Sequence, residues 1–313
     1  MITRRSFLKF GTIAALSAAT SITSGKQAFA RANPSIHCLI DTSQSDAEYV
    51  GIYLPTREIN FSKIDYPKVK IKSNSPAKLD APASETSINS RSIIGADTRT
   101  RLSGTDTFPY RATGFLSTDR YIGTASFASK SMAITAAHVV YDIDKGFVQS
   151  AKLYPGRDDD YIPYGPFTVA SIYIPIEYYK EGNSDYDYAA LGFTTLYGKQ
   201  TGYLGYQTGY DLSNQYYRID GYPGETDKRY QLWGSMGYVT RKNKRIIYQI
   251  DTTGGMSGTP VASLAGAALP NQIVGIHTNG TDSVSGGNSN SAVAVDDRMF
   301  YFMKSFRVNG END

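Results

Sequence analysis

The chain has 313 residues, 41% of them apolar and 19% charged, with 29 Gly and 25 Tyr, a composition that sustains a folded core and excludes a largely disordered protein. Its formal charge of +3 arises before residue 92. Beyond that point Asp and Glu slightly outnumber Lys and Arg, so net charge gives no support for nucleic-acid binding.

The chain opens with Thr3-Arg4-Arg5-Ser6-Phe7-Leu8-Lys9, a modestly apolar run from Phe10 to Ser24, and Ala28-Phe29-Ala30. This pattern predicts a cleavable export signal of the twin-arginine type over residues 1–30, the alternative being an ordinary secretory signal with a charged start. The apolar run is short and rich in Ser, Thr and Gly, and no later stretch reaches eighteen apolar residues, so no membrane span is expected. The single cysteine, Cys38, rules out an intramolecular disulfide and is read as inert. A route that carries already folded chains is consistent with a disulfide-free domain.

From Arg31 to Arg91, Pro, Ser, Lys and Asn are scattered without a sustained period, which reads as a leader segment and not a second domain. From Arg91 onward, short β-branched and aromatic runs alternate with Gly, Pro, Asn and Asp, the texture of an all-β barrel or sandwich. Expected strands include 112–116, 167–174, 216–222, 245–250 and 272–277. In 296–308 the residues Met299, Phe300, Phe302, Met303 and Phe306 fall near helical spacing behind two acidic residues, predicting one terminal helix. The basic cluster Arg241, Lys242, Lys244 and Arg245 is read as a solvated turn before a strand.

Beyond residue 91 only two histidines occur, His138 and His277. His138 ends Thr135-Ala136-Ala137-His138, where an apolar strand gives way to a turn, an exposed position on a rigid support that suits a general base. Asp187, in Asp185-Tyr186-Asp187-Tyr188-Ala189, precedes a small apolar run and can be buried at a strand start, where a carboxylate can orient an imidazole. Asp185 competes with it, lying on the same face if the segment is extended. Ser257 stands in Gly254-Gly255-Met256-Ser257-Gly258-Thr259-Pro260, whose glycines let successive amides converge on an oxyanion. Taken alone, these residues have plainer readings as a rim histidine, a turn aspartate and a flexible loop. The run is not the Gly-x-Ser-x-Gly elbow of α/β-hydrolases, because Thr259 fills the last position, which argues against an esterase of that fold.

Joined in the order His, Asp, Ser, the three pieces resemble the chymotrypsin-like serine proteases, and within them the bacterial glutamyl endopeptidases of the V8 type. The resemblance runs through nearly all of residues 92–313. It includes Ser92-Ile93-Ile94-Gly95, Thr98-Arg99-Thr100-Arg101, Pro109-Tyr110-Arg111-Ala112, Tyr154-Pro155-Gly156-Arg157, Gly221-Tyr222-Pro223-Gly224 and Gly275-Ile276-His277-Thr278-Asn279-Gly280.

That resemblance implies an all-β fold of two six-stranded antiparallel β-barrels with a C-terminal helix, its cleft fed by both halves. It implies His138 as general base, Asp187 as orienting carboxylate, Ser257 as nucleophile, and the amides of Gly255 and Ser257 as the oxyanion hole, with no catalytic cofactor or metal. Thr252 and His277 match the positions that receive the side chain before the scissile bond, and with the amino group of Ser92 they imply a preference for glutamate. On this reading a lysine side chain would meet repulsion from a protonated imidazole.

The resemblance further implies a zymogen, with residues 31–91 as propeptide and 92–313 as the protease, cut after Arg91 by another, trypsin-like protease. Glu85 is the nearest upstream site for self-processing. The partners expected are polypeptide substrates and the activating protease, with no nucleic acid and no membrane, and the mature protein is expected to be a monomer in the periplasm or outside the cell. Met256 departs from the family's usual polar residue and cannot pair with a new N-terminus. The loop from Ile134 to Asp142 lacks the cysteines found in some relatives, which predicts a looser loop. A protease-like binding module without turnover is the contrasting reading. Asp158-Asp159-Asp160 is either a hard-cation site or a solvated acidic turn.

Overall fold

The computed structural model describes residues 46–63, 93–281 and 287–307. The export signal, Cys38, Glu85, Arg91, Ser92 and Val308 lie outside the described residues.

The first half is an antiparallel sheet. In chain order its strands are β1 (Tyr49–Tyr53) and β2 (Glu58–Ser62), then, after the short β3 (Thr100–Arg101), β4 (Thr113–Thr118), β5 (Ile122–Phe127) and β6 (Met132–Thr135). The two-residue strands β7 (Tyr141–Asp142) and β8 (Gly146–Phe147) form a separate small hairpin. Three further sheet strands, β9 (Ala151–Pro155), β10 (Phe167–Thr168) and β11 (Ser171–Pro175), precede the short helix α1 (Ile176–Glu181) and β12 (Ala189–Gly192). The strand order is β10-β9-β4-β5-β6-β12-β11-β1-β2. Inward residues such as Leu116, Ala125, Phe127, Leu153, Ile172 and Leu191 form one core.

The second half opens with helix α2 (Gly198–Thr201) and the short β13 (Gly205–Tyr206). It continues with β14 (Tyr217–Gly221), β15 (Trp233–Gly237), β16 (Val239–Lys242) and β17 (Arg245–Tyr248). The last strands are β18 (Pro260–Ser263), β19 (Gln272–Asn279) and β20 (Asn290–Ala294). Their order is β16-β17-β20-β19-β18-β14-β15-β3, with β13 joining β19. This is the expected two-part all-β architecture, each half built out by short flanking strands.

Helix α3 (Asp297–Ser305) closes the described chain. Its N-cap Asp296 accepts from Met299 N at 2.9 Å, satisfying a free amide of the first turn, and Asp297 and Lys304 sit at the ends their charges favour. Met299, Phe302 and Met303 are fully buried against Met132, Ile134 and Tyr188 of the first half and Ile273 and Ile276 of the second. The helix therefore seals the seam between the halves.

The predicted strands are present with shifted ends, except that 167–174 divides into β10 and β11. Two expectations are corrected. The segment after His138 is not loose: Val139, Val140 and Tyr141 are buried, and Tyr141 donates its hydroxyl to Tyr179 O at 3.0 Å. In the basic cluster, Arg241 and Lys242 are solvated, but Lys244 pairs with Asp296 at 2.8 Å and Arg245 is buried.

The segment read as a patternless leader also contains order, the β1–β2 hairpin, which extends the first sheet beyond β11. Alternation of Val50 and Ile52 in one strand and Ile59 and Phe61 in the other, around a turn at Pro55-Thr56-Arg57, is the signal that could have revealed it.

Candidate active site

Three turns from different elements converge between the halves. His138 lies in a single 3-10 turn, Ala137–Val139, directly after β6. Asp187 caps another 3-10 turn, Ser184–Tyr186, directly before β12. Because β6 and β12 pair, with Thr135 opposite Ala189, the end of one and the start of the other face each other. Asp187 Oδ2 lies 2.7 Å from His138 Nδ1, and Asp187 Oδ1 accepts from the His138 backbone amide at 2.9 Å.

The Asp187 side chain is 5% exposed and that of His138 30% exposed, so the carboxylate is sheltered while the imidazole stays partly open to solvent. Burial works against the imidazolium, but the charge and hydrogen bond of Asp187 outweigh it and raise the pKa of His138. Asp185 belongs to the 3-10 turn and not to an extended strand, so it does not share the face of Asp187. Its amide is taken by Asn183 Oδ1.

Ser257 is carried on the turn before β18, and the first half fixes that turn. Thr124 of β5 donates its amide to Ser257 O at 2.8 Å, and its Oγ1 donates to Gly255 O at 3.2 Å. Gly258 has φ +90°, and a Cβ there would collide with Thr124 O and Thr135 Oγ1, so only glycine fits. Gly255, also at φ +90°, packs its α-carbon side against Gly224 N.

Around Ser257, the amides of Met256, Gly258 and Thr259 are bonded to Thr253 O, His277 O and Met256 O. Among the described residues, those of Gly255 and Ser257 make no such bond, which leaves the pair expected for an oxyanion hole available.

An ion-pair cluster around the buried Arg99 side chain braces this loop. Arg99 Nη2 lies 2.7 Å from Glu225 Oε1 and 2.9 Å from Asp97 Oδ2, and its Nη1 approaches Met256 Sδ at 4.0 Å. Thr253 Oγ1 donates to Glu225 at 2.8 Å. Burial alone would raise the Glu225 pKa, but the bonds from Arg99 and Thr253 hold it below the usual carboxylate range.

Thr252 and His277, the residues expected to receive the substrate side chain, are both buried. Thr252 is fully buried and its Oγ1 has no partner among the described residues, which leaves a donor for a water or a ligand atom. His277, 3% exposed, sits where β19 bulges before Asn279, and such irregularities re-aim side chains. Its Nδ1 lies 2.7 Å from Tyr248 Oη and 3.2 Å from Ser291 O.

Burial pushes the His277 pKa down to about 3, with His138 and Arg245 acting in the same direction. This corrects the expected repulsion of lysine by a protonated imidazole: His277 is neutral and offers one N–H donor, not a charge. Sequence reasoning missed Tyr248 and Arg245. The latter donates to Ser184 O at 2.8 Å, Thr278 Oγ1 at 2.8 Å, Asn279 Oδ1 at 2.7 Å and Ser291 Oγ at 2.6 Å, tying the Asp187 turn to the His277 strand.

Asp251, beside Thr252, accepts from Ile94 N and Thr98 N, each at 2.8 Å, and from Thr98 Oγ1 at 2.6 Å. The segment that follows Ser92 is thereby moored beside Thr252. Asp158 and Asp159 are occupied by Arg101 at 2.8 and 3.0 Å, and no group of three or more His, Cys, Asp or Glu among the described residues could hold a metal ion.

No protein-family model matches the chain. The glutamyl endopeptidase of Bacillus licheniformis is 34% identical over 233 residues, covering 72% of this chain and 70% of that protein. The chain belongs to the V8-like glutamyl endopeptidase family of chymotrypsin-fold serine proteases. A solved structure of a Glu endopeptidase matches with a TM-score of 0.62 and 27% identity, covering 68% of this chain and 98% of that one.

The extracellular metalloprotease of Bacillus subtilis is 31% identical over 206 residues, 63% of this chain and 65% of that protein. The metal in that name finds no ligand set among the described residues here. As a member of this family, the protein is a serine endopeptidase that acts on polypeptides.

Proposed function

We propose that this enzyme cleaves polypeptides after glutamate through an acyl-enzyme formed on Ser257. His138 takes the hydroxyl proton and delivers it to the leaving amine, Asp187 holds the imidazole and stabilises its cation, and the amides of Gly255 and Ser257 receive the oxyanion. The observation that carries these roles is the double hold of Asp187 on His138, one bond to the ring and one to the backbone, beside a serine turn whose two expected donors are unengaged.

The glutamate preference rests on the donors of the pocket. If Tyr248 donates its hydroxyl to His277 Nδ1, the imidazole hydrogen resides on Nε2 and can be given, with Thr252 Oγ1, to a substrate carboxylate. The positive field of Arg245, felt at His277, favours the same anion, as does the amino group of Ser92 once it is freed. Glutamyl endopeptidases among the similar proteins agree with this specificity.

Residues 1–30 act as an export signal and 31–91 as a propeptide severed by a cut after Arg91, giving an enzyme of the periplasm or the exterior with a single protease domain. Among the described residues no helix is long and apolar enough to cross a membrane.

The test is a fluorophosphonate probe together with peptides that differ only as Glu, Gln, Asp, Lys or Phe before the scissile bond. Labelling at Ser257 and fastest turnover of the Glu peptide are expected. An unlabelled protein means a silent binding module, and fastest cleavage after Lys or Phe overturns the pocket assignment.

A further inference from the structure

The hairpin β1–β2 lies upstream of the expected cut, yet it is built into the protease. β1 pairs with β11 over five residues, from Tyr49 opposite Pro175 to Tyr53 opposite Ser171. Leu54 N donates to Ala170 O at 2.8 Å, and Ile176 N donates to Glu48 O at 3.0 Å, so the ladder continues beyond both strand ends. Arg57 Nη1 reaches Val148 O at 2.8 Å.

Val50 and Ile52 are as buried as the centre of the first core and belong to it. The Tyr49 ring packs edge-on against Tyr173, Phe302 and Phe306. Removing the hairpin would expose one edge of β11 and part of a continuous apolar core, a state that sheets avoid.

The arm that this hairpin supports carries catalytic geometry. β11 runs through Pro175 into α1 and then into the turn capped by Asp187. The hairpin holds α1 at Ile176 through Glu48 O and at Tyr179 through Phe61, whose rings meet edge-on at 5.7 Å.

We propose that the hairpin is a permanent part of the working enzyme: after the cut it stays bound as a separate, noncovalent chain and positions the arm that presents Asp187. This rests on the reading of residues 31–91 as a propeptide, so the test separates the two. N-terminal sequencing of the naturally matured enzyme examines the propeptide, since a mature chain that still begins upstream of the hairpin removes that reading alone.

Retention is examined in the full-length protein with a site-specific protease sequence inserted within residues 64–92, cut under native conditions, passed over a sizing column and analysed by denaturing mass spectrometry. A fragment containing residues 46–63 is expected in the protease peak at equal stoichiometry. Its elution apart from the protease, at any level of activity, overturns the proposal.

The full-length double variant Val50→Asp and Ile52→Asp, cut in the same way, is expected to release the fragment. Its kcat should fall about tenfold or more with KM little changed, because the Asp187 arm shifts relative to His138, and the acid limb of its pH profile should move to lower pH. Should that variant not fold, Val50→Ala serves in its place with partial release and a smaller fall in kcat. Full activity after complete release sinks the idea.

Discussion

Asp187 grips His138 at two points, its Oδ2 at the ring Nδ1 and its Oδ1 at the backbone amide of the same residue. The second bond fixes the turn on which the imidazole rides, so the carboxylate governs position as well as charge. Asp187→Asn can preserve the backbone bond while offering the ring the wrong partner, and turnover should fall by about 10³–10⁴ with the fold intact. Ser257→Ala and His138→Ala should each abolish most turnover, and the double variant should lose little more, as expected of groups acting as a unit. Additive losses in kcat would contradict a triad.

The pH dependence follows from the raised pKa of His138. The base must be unprotonated, so kcat/KM should rise with pH through a value above the ordinary histidine pKa of about 6.5 and then level off. Because the folded pKa is raised, the His138–Asp187 pair stabilises the fold fully below the unfolded pKa and loses that contribution as pH rises through the folded one. In Asp187→Asn the acid limb should move to lower pH. A limb unmoved by this substitution would mean that another group titrates.

His277 carries the opposite sign. Its folded pKa is pushed down to about 3, so between that value and about 6.5 the unfolded chain binds the proton more readily and stability falls as pH drops through this window. Thermal unfolding followed from pH 7 to pH 4 should show a steeper decline in the wild type than in His277→Gln. Equal slopes would place the loss elsewhere.

Tyr248→Phe removes the hydroxyl beside His277 Nδ1 and frees the ring to move its hydrogen toward Ser291 O. The discrimination of Glu over Gln peptides should then shrink by about tenfold, mainly through KM, while Phe peptides are little affected. Unchanged discrimination in a peptide series would show that Tyr248 does not set the tautomer.

Arg245→Met removes the fork that joins Ser184 O to Thr278, Asn279 and Ser291. Leaving several buried acceptors without their donor should cost about 2–5 kcal/mol in denaturant unfolding. Preference for Glu over Gln should weaken as well, because the pocket loses a nearby positive charge. Arg241→Met, at the exposed end of the same cluster, should change neither.

The sequence displayed the chemistry more openly than the mortar around it. His138, Asp187 and Ser257 were legible because a chain with two histidines beyond residue 91 leaves few arrangements, and because Gly255 and Gly258 mark a backbone that side chains cannot follow. Arg245 read as one more solvated base, since burial of a guanidinium depends on acceptors from three separate stretches that meet only after folding. Tyr248 was hidden among 25 tyrosines. The charge state of His277 was misjudged because its solvation is set by strands distant in sequence. The hairpin at Tyr49–Ser62 went unseen because its five-residue strands lie within a Pro- and Ser-rich background, and its partner β11 is more than a hundred residues away.

The seat of Tyr49 is completed by Phe302 of the last described helix and by Phe306, which caps it. A ribosome must therefore have released nearly all of the domain before the earliest described strand can find its full complement of neighbours. Assembly of this fold closes a circle between its earliest and its last described elements, a long-range contact whose loop-closure entropy must be met before it forms.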